Sequence, residues 1–216
     1  MNVVWWAEIG EDGDYIDAAN EFWSLGFGMR PDGRPVATLI GPSIEPRALR
    51  LRAGESGRGV ELAAHVFVTA LTKRRLLGQM HDLPTDGRWF ELSGVRLPVP
   101  DVDLMEDLVA VLMRRGVLSA DETVAAALRG HPVAYSERSM HRHVVAAAGM
   151  GAKKIEQLQR ARAAYSLLQG GSTLAAAAAE AGFADQSHMT RAFTTLAGCS
   201  PARILEAGQS PFDSRP

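Results

Sequence analysis

Between Leu174 and Leu196 the chain reads as a helix, a tight turn and a second helix with almost no residue to spare. Leu174, Ala177, Ala178 and Ala181 recur at helical spacing, Gly182 stands at the bend, and Met189, Ala192, Phe193 and Leu196 recur beyond it. Asp185 or Ser187 is placed to cap the second helix. Small alanines at the crossing let two helices approach closely, and the glycine permits the turn between them. The segment therefore predicts a helix-turn-helix, with Gln186, Ser187, His188, Thr190 and Arg191 left at the start and on the outer face of the second helix. In such a unit the N-terminal part of the second helix enters the DNA major groove, where amide, hydroxyl and guanidinium groups meet base edges or phosphates. Those five residues are the candidate DNA contacts.

The rest of the chain fits around this unit. With 216 residues, 46% of them hydrophobic, it is long enough for two modest domains. The formal charge of −2 neither demands nor excludes a polyanionic partner. From Arg129 to Arg203, however, nine basic residues face four acidic ones. The texture changes near Pro98-Val-Pro100. Before it, short runs such as "NEFWSLGFGM", "PVATLIGP" and "GVELAAHVFVTAL" are broken by Gly, Pro and Asp, as strands and turns require. After it, helical spacing dominates. "DVDLMEDLVAVLMRRG" predicts a helix begun by Asp101 or Asp103, and "SADETVAAALRG" opens on a capping-box pattern, Ser119 with Glu122. The final "GQSPFDSRP" reads as a frayed tail.

The single cysteine, Cys199, has no partner for an intrachain disulfide, and no Ser/His/Asp, Cys/His or metal-binding spacing stands out. His141 and His143 sit two apart, which sends their rings to different helix faces rather than to one metal. Gly-rich "GESGRG" lacks a phosphate-loop ending and reads as a hairpin turn. "TKRRLLGQM" reads as an amphipathic basic turn with a solvated face rather than a second DNA contact, and Trp5 and Trp6 read as core and edge anchors rather than a ligand cage. The N-terminus lacks the basic start and apolar run of a signal peptide, so the reading is a cytoplasmic non-enzyme without cofactor or membrane partner.

"AAAAAEAGFADQSHMTRAFTTLAGCSPARI" closely resembles the second helix-turn-helix of AraC-type transcription regulators. Ala178, Gly182, Phe183, Asp185, Gln186, Ser187, His188, Thr190, Arg191, Phe193, Gly198, Ser200 and Pro201 match that family's pattern in order. The chain departs from it at Met189, where Phe is usual, at Ile204, where an aromatic is usual, and at Thr194, where a basic residue is frequent. The resemblance implies a second, upstream unit in which "AYSERSMHRHVVAAAG" supplies the first recognition helix. There Ser136 is the N-cap, Met140, Val144 and Ala147 face the core, and Arg138, His141 and Arg142 face the groove. "KKIEQLQRARAAYSLLQ" resembles the long helix joining the two units, a strut that suits successive major grooves ~34 Å apart.

"RPDGRPVATLIGP" and "GRGVELAAHVF" resemble the strand-rich region that precedes the DNA-binding domain in some of these regulators, where sensing or dimerisation is common. On the strand "GVELAAHVFV", Glu61 and His65 share one side; beside Trp23 and Phe27 such a pair can orient a small polar ligand, the alternative being a solvated face. The expected architecture is α+β, with a strand-rich small domain over 1–100, an all-α DNA-binding domain with two helix-turn-helix units joined by a long helix over 101–207, and a disordered tail over 208–216. The expected function is sequence-specific transcription regulation on double-stranded DNA across two successive major grooves. A small-molecule effector and RNA polymerase are candidate partners, and the chain is a monomer or homodimer. The rival is a protein-interaction or ligand-binding module that keeps the fold with little DNA affinity.

Overall fold

The computed structural model describes residues 2–71, 76–206 and 211–212. The N-terminal half is built on a five-stranded antiparallel sheet in the order β1-β6-β3-β4-β8, formed by β1 (Val3–Glu8), β3 (Trp23–Met29), β4 (Pro35–Ile40), β6 (Ser56–Leu62) and β8 (Met80–Asp82). Strict alternation gives this sheet two different faces. Trp23, Leu25, Phe27, Ala37, Leu39, Val60 and Leu62 are buried on one face. That face is covered by the β9 (Trp89–Leu92) and β10 (Val95–Pro98) hairpin through Phe90, Leu92 and Leu97. It is covered also by α1 (Met105–Arg114) through Met105, Leu108, Val109 and Leu112. Against the other face stands the pair β2 (Gly13–Asp17) and β5 (Arg47–Leu51).

The helix-forming pattern of residues 101–116 thus ends up in the core of the strand-rich half, because its apolar stripe has the sheet to pack on. The strand expected over "GVELAAHVFV" is two strands. β6 stops at Leu62, and β7 (Val66–Val68) leaves the main sheet to pair with β11 (Leu118–Ala120). That pairing draws Ser119 into a strand. The cap of α2 (Glu122–Leu128) is therefore Asp121, whose Oδ1 accepts from the Thr123 and Val124 N–H groups at 3.0 Å each. Asp101 precedes a short 3-10 turn without capping it through its side chain; its carboxylate lies 3.8 Å from Arg58 Nη2.

From α2 onward the chain is helical: α3 (Glu137–Ala148), α4 (Ala152–Gln169), α5 (Leu174–Glu180), α6 (Gln186–Ala197) and α7 (Pro201–Glu206). Two helix pairs, α2/α3 and α5/α6, flank the 18-residue α4, which is about 27 Å long at 1.5 Å per residue. Ile155, Leu158, Ala161, Tyr165 and Leu168 form its buried stripe, as the sequence predicts. Met189, Phe193 and Leu196 are completely buried, and Ala177 and Ala178 let α5 and α6 meet closely. Gly182, at φ 77°, makes the turn between them.

The described part of the tail, Pro211 and Phe212, departs from expectation. Phe212 is packed, its ring 5.6 Å from Tyr165 and 5.2 Å from Phe193, and the Pro211 carbonyl accepts from the Ala18 N–H at 2.8 Å. An aromatic that reaches a groove lined by other rings is held there by burial, whatever the polarity of its neighbours in sequence. The other expected tail residues, apart from 211–212, and residues 72–75 of the basic turn lie outside the described residues.

Candidate nucleic-acid interface and ligand cavity

Asp185 caps α6 by accepting from the His188 N–H at 2.6 Å, and Gly198 ends the helix with a left-handed φ of 75°. Fixed between these ends, α6 turns Met189, Ala192, Phe193 and Leu196 inward and leaves Gln186, Ser187 and Arg191 exposed. Thr190 is half-buried, its hydroxyl donating to the Gln186 carbonyl at 3.0 Å. His188 has a local task as well. Its Nδ1 accepts from the Ala184 N–H at 3.4 Å, and its ring meets the Phe183 ring edge-on at 5.3 Å. The imidazole therefore braces the turn, and Nε2 is the ring nitrogen left for an outside partner.

In the upstream unit Ser136 caps α3 as predicted, its Oγ accepting from the Ser139 N–H at 3.3 Å. Arg138, His141 and Arg142 are all exposed. Arg142 Nη2 leans on Ser139 Oγ at 3.5 Å, while the His141 ring rests against Gly151 at the head of α4, 3.2 Å from where a Cβ would stand. His143 turns the other way, to Tyr135 and to Asp121, whose Oδ2 is 3.9 Å from Nδ1.

Glu61 and His65 do not share one strand. His65 lies beyond the end of β6, where its carbonyl accepts the Asp121 N–H at 3.0 Å at the junction with α2. Burial pushes its imidazole below the ordinary histidine value, with Glu122 and Asp121 opposing the shift. Trp23 is also misplaced by the sequence reading. It pairs with Leu62 and is completely buried on the core face, whereas Glu61 and its partner Ser24 face the opposite side. Of the three ligand candidates, Glu61 lines a cavity between the main sheet and the β2–β5 pair.

That cavity, about 230 Å³, lies between the main sheet and the β2–β5 pair. Trp5 is its largest wall residue, with Tyr15, Phe22, Ile40 and Leu49 around it. The indole lies across Gly26, Gly57 and Gly59, and a Cβ at Gly59 would stand 2.8 Å from the ring and 2.5 Å from the Leu25 carbonyl. Gly26 and Gly28 pair with Gly59 and Gly57, so two G-x-G strands side by side clear one face of the sheet for the ring. This was the legible signal for the cavity, and reading Trp5 and Trp6 as plain anchors passed over it; Trp6, on the other face of β1, is well exposed. At one end of the cavity Arg47 Nε donates to Asp17 Oδ2 at 3.0 Å, and Nη2 donates to the same oxygen. Burial raises the Asp17 carboxyl above its ordinary value despite Arg47.

Beyond Asp17 the chain grips the helical half with residues that alternate with cavity-lining ones. The Ala19 N–H donates to the Leu196 carbonyl of α6 at 2.8 Å. Glu21, 1% exposed, accepts both Arg162 Nη1 and Nη2 at 3.1 and 2.9 Å, and that guanidinium lies 4.5 Å over the Phe22 ring.

Residues 131–207 match the family described as a helix-turn-helix domain, which takes in α3 to α7. This segment is an AraC-type helix-turn-helix domain. Domains of this type are the DNA-binding parts of transcription regulators, and the residues carrying the sequence resemblance lie inside the matched span. No curated protein matches the chain. Among solved structures, ToxT from Vibrio cholerae is similar at 10% identity and a TM-score of 0.43, covering 95% of this chain and 97% of that one. Unsaturated fatty acid-bound wild-type ToxT from Vibrio cholerae strain SCE256 is similar at 11% identity and a TM-score of 0.46, covering 94% of each chain. The likeness is remote, and no function follows from it.

Proposed function

We propose that the protein regulates transcription by sequence-specific binding to duplex DNA, and that occupancy of the N-terminal cavity by a small molecule controls it. One observation carries the DNA reading: α6 commits its whole apolar stripe to the core and leaves amide, hydroxyl and guanidinium groups at the exposed N-terminal half. In this reading α6 enters one major groove and α3 the next, with α4 as the spacer and the DNA-binding domain beginning near Asp121. Arg191, a turn into α6, meets phosphate, and Gln186, at its start, meets a base edge.

The effector reading is supported by continuity. Asp17, Asn20 and Phe22 line the cavity, while Ala19 and Glu21, between them, hold α6 and α4. A ligand that shifts this segment by a fraction of an ångström acts on both helices at once.

Electrophoretic shift titrations on a site obtained by in vitro selection, run at several salt concentrations, test the DNA reading. Arg191→Ala is expected to weaken binding to all sequences and to lower the salt slope by about one charge. Gln186→Ala should cost about 1 to 3 kcal/mol on the selected site and relax preference at one or two base pairs, with little loss on random DNA. Absence of salt-sensitive duplex binding by the wild type would leave the rival, a protein-contact module on the same fold.

A further inference from the structure

His188 differs from the polar residues beside it on α6 in what its side chain can offer. The Gln186 amide carries donors and an acceptor on one group and turns to suit either need, and the Ser187 hydroxyl does the same. A neutral imidazole has one donor and one acceptor, and the partner of one nitrogen decides where the proton sits. At His188 that partner is inside the protein. Nδ1 accepts from the Ala184 N–H at 3.4 Å, so the ring is bare there and carries its proton on Nε2. An imidazolium has no acceptor and cannot make this bond. The ring is also held in place. The His188 main-chain N–H donates to Asp185 Oδ1 at 2.6 Å, and the imidazole meets the Phe183 ring edge-on at 5.3 Å. Phe183 is buried, and Arg160 of α4 packs on it with Cζ 5.8 Å from the ring centroid. One nitrogen and the ring contact are thus committed to the turn, and Nε2–H is the polar group left to the side chain.

We propose that His188 is a specificity-determining residue that acts only as a donor: Nε2–H meets an acceptor on a base edge, guanine O6 or N7 or thymine O4, and rejects the cytosine amino group. The proposal rests on the reading of α6 as a helix in the major groove. His188 is the third residue of α6, in the part of a recognition helix that meets base edges. The discrimination follows from the groove's own pattern. Guanine shows two acceptors there and thymine one, whereas cytosine shows its amino donor. Donor facing donor leaves two groups without a partner where water is squeezed out, which costs more than a contact merely absent. A phosphate would accept from Nε2–H too, but with no preference for sequence.

Proton–nitrogen correlation spectra of the imidazoles in the full chain, in mildly alkaline buffer, read the tautomer directly. A bare Nδ1 and a protonated Nε2 are expected at His188, and the opposite tautomer overturns the proposal. In vitro selection with the wild type and with His188→Ala then locates the base pair whose preference the imidazole sets. Guanine or thymine is expected there, and cytosine put in its place on the same strand should weaken wild-type binding at least about fivefold. His188→Gln, whose amide turns to donate or accept, should still bind the selected site but lose most of the rejection of cytosine. His188→Asn keeps an acceptor for the Ala184 N–H on a shorter side chain, so it should keep the unfolding midpoint and lose the preference, which separates recognition from bracing of the turn. Variants that bind every sequence more weakly by one factor assign the ring to phosphate, and an unchanged selected site makes it a brace alone; either result overturns the proposal. If the expected tautomer is found in a wild type without salt-sensitive duplex binding, the DNA reading itself falls.

Discussion

Gly59 shows how much one residue decides. On a half-buried strand a glycine ordinarily weakens the sheet, since it offers no side chain to pack. Here the missing side chain is filled by the Trp5 ring, which lies across Gly26, Gly57 and Gly59. Gly59→Ala would put a Cβ 2.5 Å from the Leu25 carbonyl oxygen and 2.8 Å from the indole. The carbonyl belongs to a paired strand and cannot move aside, so the cost is that of overpacking, about 1 to 3 kcal/mol. Urea unfolding of the variant measures it, and the Trp5 emission should change because the ring must leave the glycines. Gly10, with nothing within 4 Å of a built Cβ, is the matched control: alanine there meets no neighbour. Equal stability of the two variants would mean that the indole does not occupy the glycine face.

At the scale of elements, the helical half was legible because its information is local. The helices carry their apolar residues three and four apart, and α2, α3, α5 and α6 each begin on a side-chain cap. Asp185, one of the two caps that logic offers, caps α6, and Ser136 caps α3 as the resemblance implies. The strand-rich half was less legible because pairing partners are far apart in sequence. Nothing near Glu61 says that β6 ends at Leu62, that Val66–Val68 crosses to Leu118–Ala120, or that Trp23 faces away from it. The recognition helix gives the sharpest test of the local logic. Phe193 is completely buried among α6, α4 and the Phe212 ring, 5.2 Å away. Phe193→Ala empties an aromatic core site and should destabilise the helical half by about 3 to 5 kcal/mol. Phe212→Ala should cost less, because that ring is 9% exposed and packs from the outside. Denaturant melts followed by helical circular dichroism rank the two, and the opposite order would contradict the packing described.

For the molecule as a whole, the segment after Asp17 is held to α6 by the Ala19–Leu196 hydrogen bond and to α4 by one ion pair, and the two halves of that pair are not equivalent. Glu21 is 1% exposed in its side chain and Arg162 is 28% exposed. Removing a partner from a buried pair is costly chiefly through the charge left behind, about 3 to 5 kcal/mol when that charge stays buried. Arg162→Ala leaves the Glu21 carboxylate enclosed without its two guanidinium donors, so it should approach that range. Glu21→Ala leaves a guanidinium that already reaches solvent and rests on the Phe22 ring, and it should cost clearly less. The double variant should be more stable than Arg162→Ala alone, since it removes the stranded carboxylate. A thermodynamic cycle of the four proteins in urea tests this ordering. The same cycle read by amide exchange at Ala18 and Ala19, whose N–H groups donate to Pro211 and Leu196, reports whether the segment still holds the helical half. Equal costs for the two single variants, or protection at those amides that survives Arg162→Ala unchanged, would mean that the segment is held by its apolar contacts and that the ion pair does not transmit.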